Sequence, residues 1–249
     1  MNIYLNSAQQ DFNDYTNNPN IYQTRVANLN NMFGLNGNNG LMSNILPTYH
    51  AGNLLNVKHV IIGINPGFNQ DNINFENQHR THNWNAYLNF HNNFFQFYQQ
   101  NNRQIRYYSY MAGVLAPNQI RYNNWNYFNY CHNSILNIDI IPYHSYGFHQ
   151  RHFNNNAQNY ILNRFNNEII PMLQRNLQNV NRVIIHDSRL FMLLLNNGFV
   201  NNQNIVSNVQ TNNGLRIIYS INHQGIEFRL FSRFIPNGGF SRQIVQQYL

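Results

Sequence analysis

Asn65 is the residue that the sequence most clearly predicts to lie in a functional site. The run Val60–Ile64 is apolar apart from one glycine, and it is followed directly by Asn65, Pro66 and Gly67. A continuous apolar run bounded by turn residues is typical of a buried strand of a parallel sheet, and ligands bind outside the carboxyl ends of such strands. Pro66 favours an extended Asn65, whereas Gly63 and Gly67 allow the backbone to approach a ligand closely. The pattern therefore predicts a rigid loop that presents one side-chain amide.

A second apolar run, Ile135–Ile141, is also followed by polar residues, in the sequence Pro142-Tyr143-His144-Ser145. We interpret it as a second strand whose carboxyl end could carry part of a site. Asp139 is the one acidic residue in this run. A carboxylate inside a buried strand is costly unless it has partners, so Asp139 is a candidate site residue.

The remaining patterns predict the elements that hold these loops. Apolar residues at helical spacing indicate helices over 22–33, 83–100 and 157–177, whereas the polar stretch Asn69–His82 is interpreted as a loop. Strand-like runs are at 182–188, 215–221 and 225–231, the last two joined as a hairpin. These elements predict an α/β fold, a three-layer sandwich with a central, mostly parallel sheet flanked by helices.

Composition narrows the class of protein. The chain has 249 residues with 15 Lys+Arg against 8 Asp+Glu, which gives a formal net charge of +7. An excess of basic residues favours a polyanionic partner such as nucleic acid. The single cysteine, Cys131, excludes a disulfide framework and is expected to be buried. No signal peptide or membrane-spanning run is found, so we expect a soluble, cytoplasmic protein. No metal or cofactor is expected, because the 11 His show no ligand spacing.

The loop after the first strand resembles a known motif. Gly63-Ile64-Asn65-Pro66-Gly67 is similar to the first active-site motif of the mismatch-specific uracil and thymine DNA glycosylases. In this branch of the uracil-DNA glycosylase superfamily, an asparagine takes the place of the catalytic aspartate. The resemblance implies that Asn65 is the catalytic residue and that Gly63, Pro66 and Gly67 shape the loop around it.

A second motif follows the last predicted strand, within Phe234–Arg242. It resembles the Asn-Pro-Ser-Gly-Leu-Ser-Arg loop of the same branch. The residues concerned are Asn237, Gly238, Gly239, Phe240, Ser241 and Arg242. The match is direct at the last glycine, the serine and the arginine, but Pro236-Asn237 reverses the order of the family motif, and Gly238 replaces its serine. The resemblance implies that this loop contacts DNA phosphates and that Phe240 is a wedge that enters the duplex.

The resemblance also implies how a base would be held. In the related enzymes, the segment after the first motif supplies an aromatic ring that stacks on the extruded base. Phe68 and Phe75 are the candidates here, and Phe75 is the preferred prediction. Arg80 and His82 in the same segment are candidate phosphate contacts or ordinary solvated residues.

By strand position, Asp139 matches an asparagine that reads the edge of uracil in several branches of the superfamily. Asn137 is the competing match, and the alternative for Asp139 is a purely structural role in holding a loop. An amide can donate as well as accept, whereas a carboxylate only accepts, so Asp139 would suit the amino group of cytosine. Because removal of ordinary cytosine would destroy the host genome, the expected target is a modified cytosine, such as glucosylated hydroxymethylcytosine in phage DNA.

Helical spacing predicts a helical N-terminal extension over residues 1–56, and the resemblance implies a glycosylase-like domain over 57–249. The expected protein is a monomeric, monofunctional DNA glycosylase that acts on double-stranded DNA, with phage defence as its role. A uracil or mismatched-thymine glycosylase of base excision repair is the main alternative. A catalytically inactive DNA-binding protein on the same fold and an enzyme of free nucleosides remain as alternatives of other classes.

Overall fold

A single sheet of seven strands organises the described part of the chain, in the order β1-β3-β2-β4-β7-β6-β5. The computed structural model describes residues 3–55, 57–116, 127–147, 154–176, 182–185, 187–199, 204–211, 214–231 and 242–248. The strands are β1 (His50–Ala51), β2 (His59–Gly63), β3 (Ile135–Asp139), β4 (Arg182–Ile185), β5 (Ile205–Thr211), β6 (Gly214–His223) and β7 (Ile226–Phe231).

The apolar run before Asn65 forms β2, which lies between β3 and β4. Its residues pair in parallel with β4, with Val60 opposite Val183. Val60, Ile61 and Ile62 are all buried. A central strand covered on both faces needs apolar side chains on both, which explains why the run is continuous. The predicted buried strand of a parallel sheet is therefore confirmed.

β3 runs parallel to β2, as the backbone bonds near both ends show. Lys58 N–H donates to Ser134 O before the strands begin, and Ile141 N–H donates to Ile64 O after they end. β4 and β7 are also parallel, whereas β5, β6 and β7 are antiparallel. The predicted hairpin is β6 and β7, and its two turn residues, Gln224 and Gly225, both have positive φ. Such a turn matches the twist of the strands that it joins.

Helices make up most of the other described residues. They are α1 (Ile3–Asn17), α2 (Pro19–Phe33), α3 (Gln70–Arg80), α4 (Trp84–Asn92), α5 (Phe94–Gln100), α6 (Arg106–Leu115), α7 (Tyr127–Ser134), α8 (Asn155–Arg164), α9 (Ile170–Asn176), α10 (Ser188–Asn196) and α11 (Arg242–Tyr248). The prediction of an α/β protein is confirmed. Cys131 on α7 is buried, as expected, and burial raises the pKa of its thiol. Over the described ranges, no helix is both long and apolar enough to cross a membrane.

The prediction of a loop over Asn69–His82 is wrong, because most of this stretch forms α3. The Asn69 side chain accepts a hydrogen bond from Asn72 N–H at 3.0 Å and so caps the first turn. The buried residues Phe75, Glu76 and Arg80 follow at helical spacing. A prediction from apolar residues alone misses this helix, because two of the side chains that it buries are charged.

The predicted long helix over 157–177 is interrupted. α8 is followed by a π-helical segment, Phe165–Ile169, before α9 begins, and Pro171 is the second residue of α9. Proline has no N–H to donate, and the N–H groups in the first turn of a helix have no partner within that helix. Pro171 is therefore tolerated in the first turn of α9, and the regular α-helix is interrupted in the segment before it.

The chain divides into two compact units. The first comprises Met1–His50, Ile64–Asn92 and Asp139–Arg175, and the second comprises Ala51–Gly63, Asn93–Ile138 and Asn176–Leu249. In the first unit, Phe12, Leu46 and Tyr87 form a buried cluster. In the second, the parallel strands supply the core. Asn65 and the polar residues that follow β3 belong to the first unit, so the candidate site can be described within it.

Candidate active site

The polar segments that follow β2 and β3 come together in the structure. Beyond the strands, Ile141 N–H still bonds to Ile64 O at 2.8 Å, and Gly67 forms a parallel backbone bridge with Ser145. Two neighbouring parallel strands deliver their following residues to the same edge of a sheet. This pairing brings Ser145 to the Asn65 loop.

The Asn65 amide is held in one orientation. Its Nδ2 donates to Ser145 Oγ at 2.8 Å and to the Pro66 carbonyl O at 3.2 Å. A carbonyl oxygen only accepts, so the amide nitrogen must be the atom on that side. Asn65 is half-buried. The Oδ1 atom is therefore the part of this amide that is available to orient another molecule.

A row of buried polar side chains supports the loop. His144 Nδ1 lies 2.9 Å from Gly67 O, and His144 Nε2 lies 3.0 Å from Thr48 Oγ1. Arg80 Nη1 donates to the same Thr48 hydroxyl at 2.7 Å. Burial, reinforced by the charge of Arg80, lowers the pKa of His144 to about 3. The imidazole is therefore neutral at physiological pH, and its two nitrogens have different roles.

Arg80 is wholly buried, with 0% of its surface exposed, so both interpretations of this residue, a phosphate contact and an ordinary solvated residue, are wrong. It lies 3.1 Å from the Glu76 carboxylate one turn earlier on α3, and its Nε donates to Asn77 Oδ1 at 3.2 Å. A buried guanidinium needs such partners, since an unpaired charge in the interior is strongly destabilising.

The two aromatic candidates lie in different surroundings. Phe68 is half-buried beside the Asn65 loop, and its ring centroid is 4.3 Å from that of Tyr146, at an interplanar angle of 62°. Tyr146 is 62% exposed. Phe75 is buried on α3, where its ring packs against His79 and Phe90. Phe68 is therefore the ring better placed to meet a ligand at Asn65.

Asp139 is the last residue of β3, and only 8% of its surface is exposed. Its N–H donates to Tyr49 O at 3.4 Å. Asn137, the competing residue, is also buried, and its Oδ1 lies 3.4 Å from the Tyr107 hydroxyl. Alternate residues of a strand face the same side, so both side chains leave β3 on one face.

The second motif lies largely outside the described residues. Asn237, Gly238, Gly239, Phe240 and Ser241 are not described, and Arg242 is known only as the first residue of α11. Among the residues that are described, no group of three or more His, Cys, Asp and Glu could hold a metal ion.

Sequence reasoning identified Asn65 but gave no role to Ser145, Thr48 or His144. Ser145 had one usable signal, since it is a polar residue just after a strand that neighbours β2. Thr48 had none, because its role depends on contacts with residues far away in the sequence. Comparison of the chain with family models, with curated proteins and with solved structures yields no match.

Proposed function

We propose that the protein is a monofunctional DNA glycosylase that hydrolyses the N-glycosidic bond of an extruded pyrimidine. The observation that carries the proposal is the Asn65 amide, which follows the central strand β2 and is fixed by Ser145. The fold that we propose is the three-layer sandwich of the uracil-DNA glycosylase superfamily. The basic composition of the chain supports a DNA partner.

The chemistry follows from which amide atom is available. Cleavage of an N-glycosidic bond passes through an oxocarbenium-like sugar, which a water molecule attacks. Because Nδ2 is engaged with Ser145 and Pro66, Oδ1 would accept a hydrogen bond from that water and orient it. A neutral amide cannot remove a proton as a carboxylate does, so Asn65 acts by position, and a slow enzyme is expected.

Lyase chemistry through a Schiff base has no support in this chain. Lys58 is the only lysine in the sequence, and it precedes β2, whereas Asn65 follows that strand. Schiff-base formation needs an amine at the reacting carbon. Hydrolysis by water is therefore the proposed reaction, and an abasic site with an intact strand is the proposed product.

The proposed substrate is a cytosine derivative. Asp139 is a buried carboxyl group at the end of β3, the strand next to β2. A carboxylate accepts from the N4 amino group of cytosine, and a protonated carboxyl can donate to N3. A cytosine modified in phage DNA, such as hydroxymethylcytosine or its glucosylated form, is a target that the host genome lacks. Phe68 would stack on the extruded base.

The test uses matched duplexes that differ only at one position: uracil, mismatched thymine, cytosine, hydroxymethylcytosine or glucosylated hydroxymethylcytosine. After incubation, alkali cleaves the strand wherever a base has been released. We expect scission at a modified cytosine with the wild type and none with Asn65→Ala, which should still bind the duplex. Scission of the uracil duplex alone would show that the substrate is uracil and not a modified cytosine. Equal scission by the wild type and Asn65→Ala would refute the proposal that Asn65 carries a glycosylase activity.

A further inference from the structure

Buried side chains connect α3 to the loop that carries Asn65. Arg80 bonds to the Thr48 hydroxyl, Thr48 bonds to His144, and His144 bonds to the Gly67 carbonyl, at 2.7, 3.0 and 2.9 Å. Arg80, Thr48 and His144 are all buried. The connection ends two residues after Asn65, on a backbone atom of the loop itself.

The chemistry of the end groups fixes the direction of every bond. The Gly67 carbonyl only accepts, so His144 Nδ1 carries the hydrogen and Nε2 of the neutral ring is left as an acceptor. The Thr48 hydroxyl must then donate to Nε2, while it accepts from Arg80, which can only donate. Thr48 and His144 therefore each donate one hydrogen bond and accept one, and the Thr48 hydroxyl is the donor that Nε2 of the Nδ1–H tautomer needs.

We propose that Thr48 is a positioning residue for base release: its hydroxyl holds His144 in the Nδ1–H tautomer, and His144 fixes the Gly67 peptide and so the Asn65 amide. This inference rests on the proposed function. Without the hydroxyl, the ring could adopt the other tautomer, and the Gly67 carbonyl would lose its donor. Displacement of a positioning group by about 1 Å can lower a rate on the order of 100-fold.

The backbone around Thr48 has hydrogen bonds that do not involve the Thr48 hydroxyl. Thr48 N–H donates to Pro142 O at 2.8 Å, and Met42 N–H donates to His144 O at 2.9 Å. Arg80 also retains Glu76 and Asn77 as partners. Thr48→Val keeps the shape and the backbone bonds and removes the hydroxyl, whereas Thr48→Ser keeps the hydroxyl. The two variants therefore separate the effect of the hydroxyl from the effect of altering the side chain.

The kinetic test measures single-turnover base release with enzyme in excess over a hydroxymethylcytosine duplex, or over a uracil duplex if the wild type releases only that base. We expect Thr48→Val to lower the rate by about tenfold or more, with duplex affinity within about twofold of wild type, and Thr48→Ser to retain the rate. A wild-type rate in Thr48→Val, or equal losses in both variants, would overturn the proposal.

A second measurement is independent of activity. Nitrogen-15 NMR of the histidine rings should show His144 as the Nδ1–H tautomer in the wild type and in Thr48→Ser. In Thr48→Val the ring signal and the Phe68 amide signal should both change. If the wild type releases no base but shows this pattern, the proposed function fails while the link from Thr48 to the loop is supported. An Nε2–H tautomer in the wild type would overturn the inference whatever the activity.

Discussion

Replacement of Ser145 by alanine tests whether the orientation of the Asn65 amide matters. The change removes the oxygen that accepts from Asn65 Nδ2 at 2.8 Å and leaves only the longer bond to Pro66 O at 3.2 Å. A neutral hydrogen bond contributes about 1 kcal/mol net, and loss of alignment adds to this. A total of about 1–2 kcal/mol corresponds to a rate lower by a factor of about 5–30.

The assay is single-turnover base release from one duplex, measured for the wild type, Ser145→Ala, Asn65→Ala and the double variant. If Ser145 acts only through Asn65, the serine change should have no further effect once Asn65 has been replaced. Duplex affinity should stay within about twofold for Ser145→Ala, because the lost bond lies inside the protein. An unchanged rate in Ser145→Ala, or a further loss in the double variant, would refute this explanation.

Three further predictions concern the base, the aromatic rings and pH. Asp139→Asn should shift release from cytosine-type towards uracil-type duplexes, because an amide also donates; an unchanged preference in a direct competition would contradict this. Phe68→Ala should weaken base release with little loss of stability, whereas Phe75→Ala should cost about 3–5 kcal/mol in the free energy of unfolding, because its ring is buried. Thermal denaturation together with the alkali assay separates these two outcomes, and the reverse pattern would show that Phe75 is the stacking ring. Burial lowers the pKa of His50 to about 4 and that of His144 to about 3. Histidines in the unfolded chain have pKa values near 6.5, so below about pH 6.5 the unfolded chain binds more protons than the folded protein does. The free energy of unfolding should therefore be highest above about pH 6.5 and fall towards pH 4, by up to about 1.4 kcal/mol per pH unit for each ring. Equal urea midpoints at pH 7 and pH 5 would contradict the burial of these rings.

The position of Asn65 could be predicted because its signals are local. A strand buried on both faces has to be apolar at every position, so Val60–Ile64 is conspicuous in a chain rich in asparagine. The polar residues that follow then mark the carboxyl end of the strand. The same logic predicted β3. These two predictions located both loops, but not the contact between them.

The support behind the site could not be predicted, because it depends on tertiary partners. α3 buries Glu76 and Arg80, and a charged pair gives no apolar signal in the sequence. Thr48 and His144 are 96 residues apart, and Asn65 and Ser145 are 80 residues apart. Nothing local indicates that these pairs meet. The preference for Phe75 over Phe68 had the same origin, since the burial of Phe75 depends on packing between α3 and α4.

Mass spectrometry of the free base shows whether Asn65 orients the water molecule that releases the base. The wild type and Asn65→Ala are each incubated with a duplex carrying hydroxymethylcytosine, and the small molecules are separated from the DNA. The proposed mechanism predicts that free 5-hydroxymethylcytosine accumulates in step with abasic sites in the wild type and is not formed by Asn65→Ala, although that variant binds the duplex equally well. Release of the same base at the same rate by Asn65→Ala would contradict this role of Asn65.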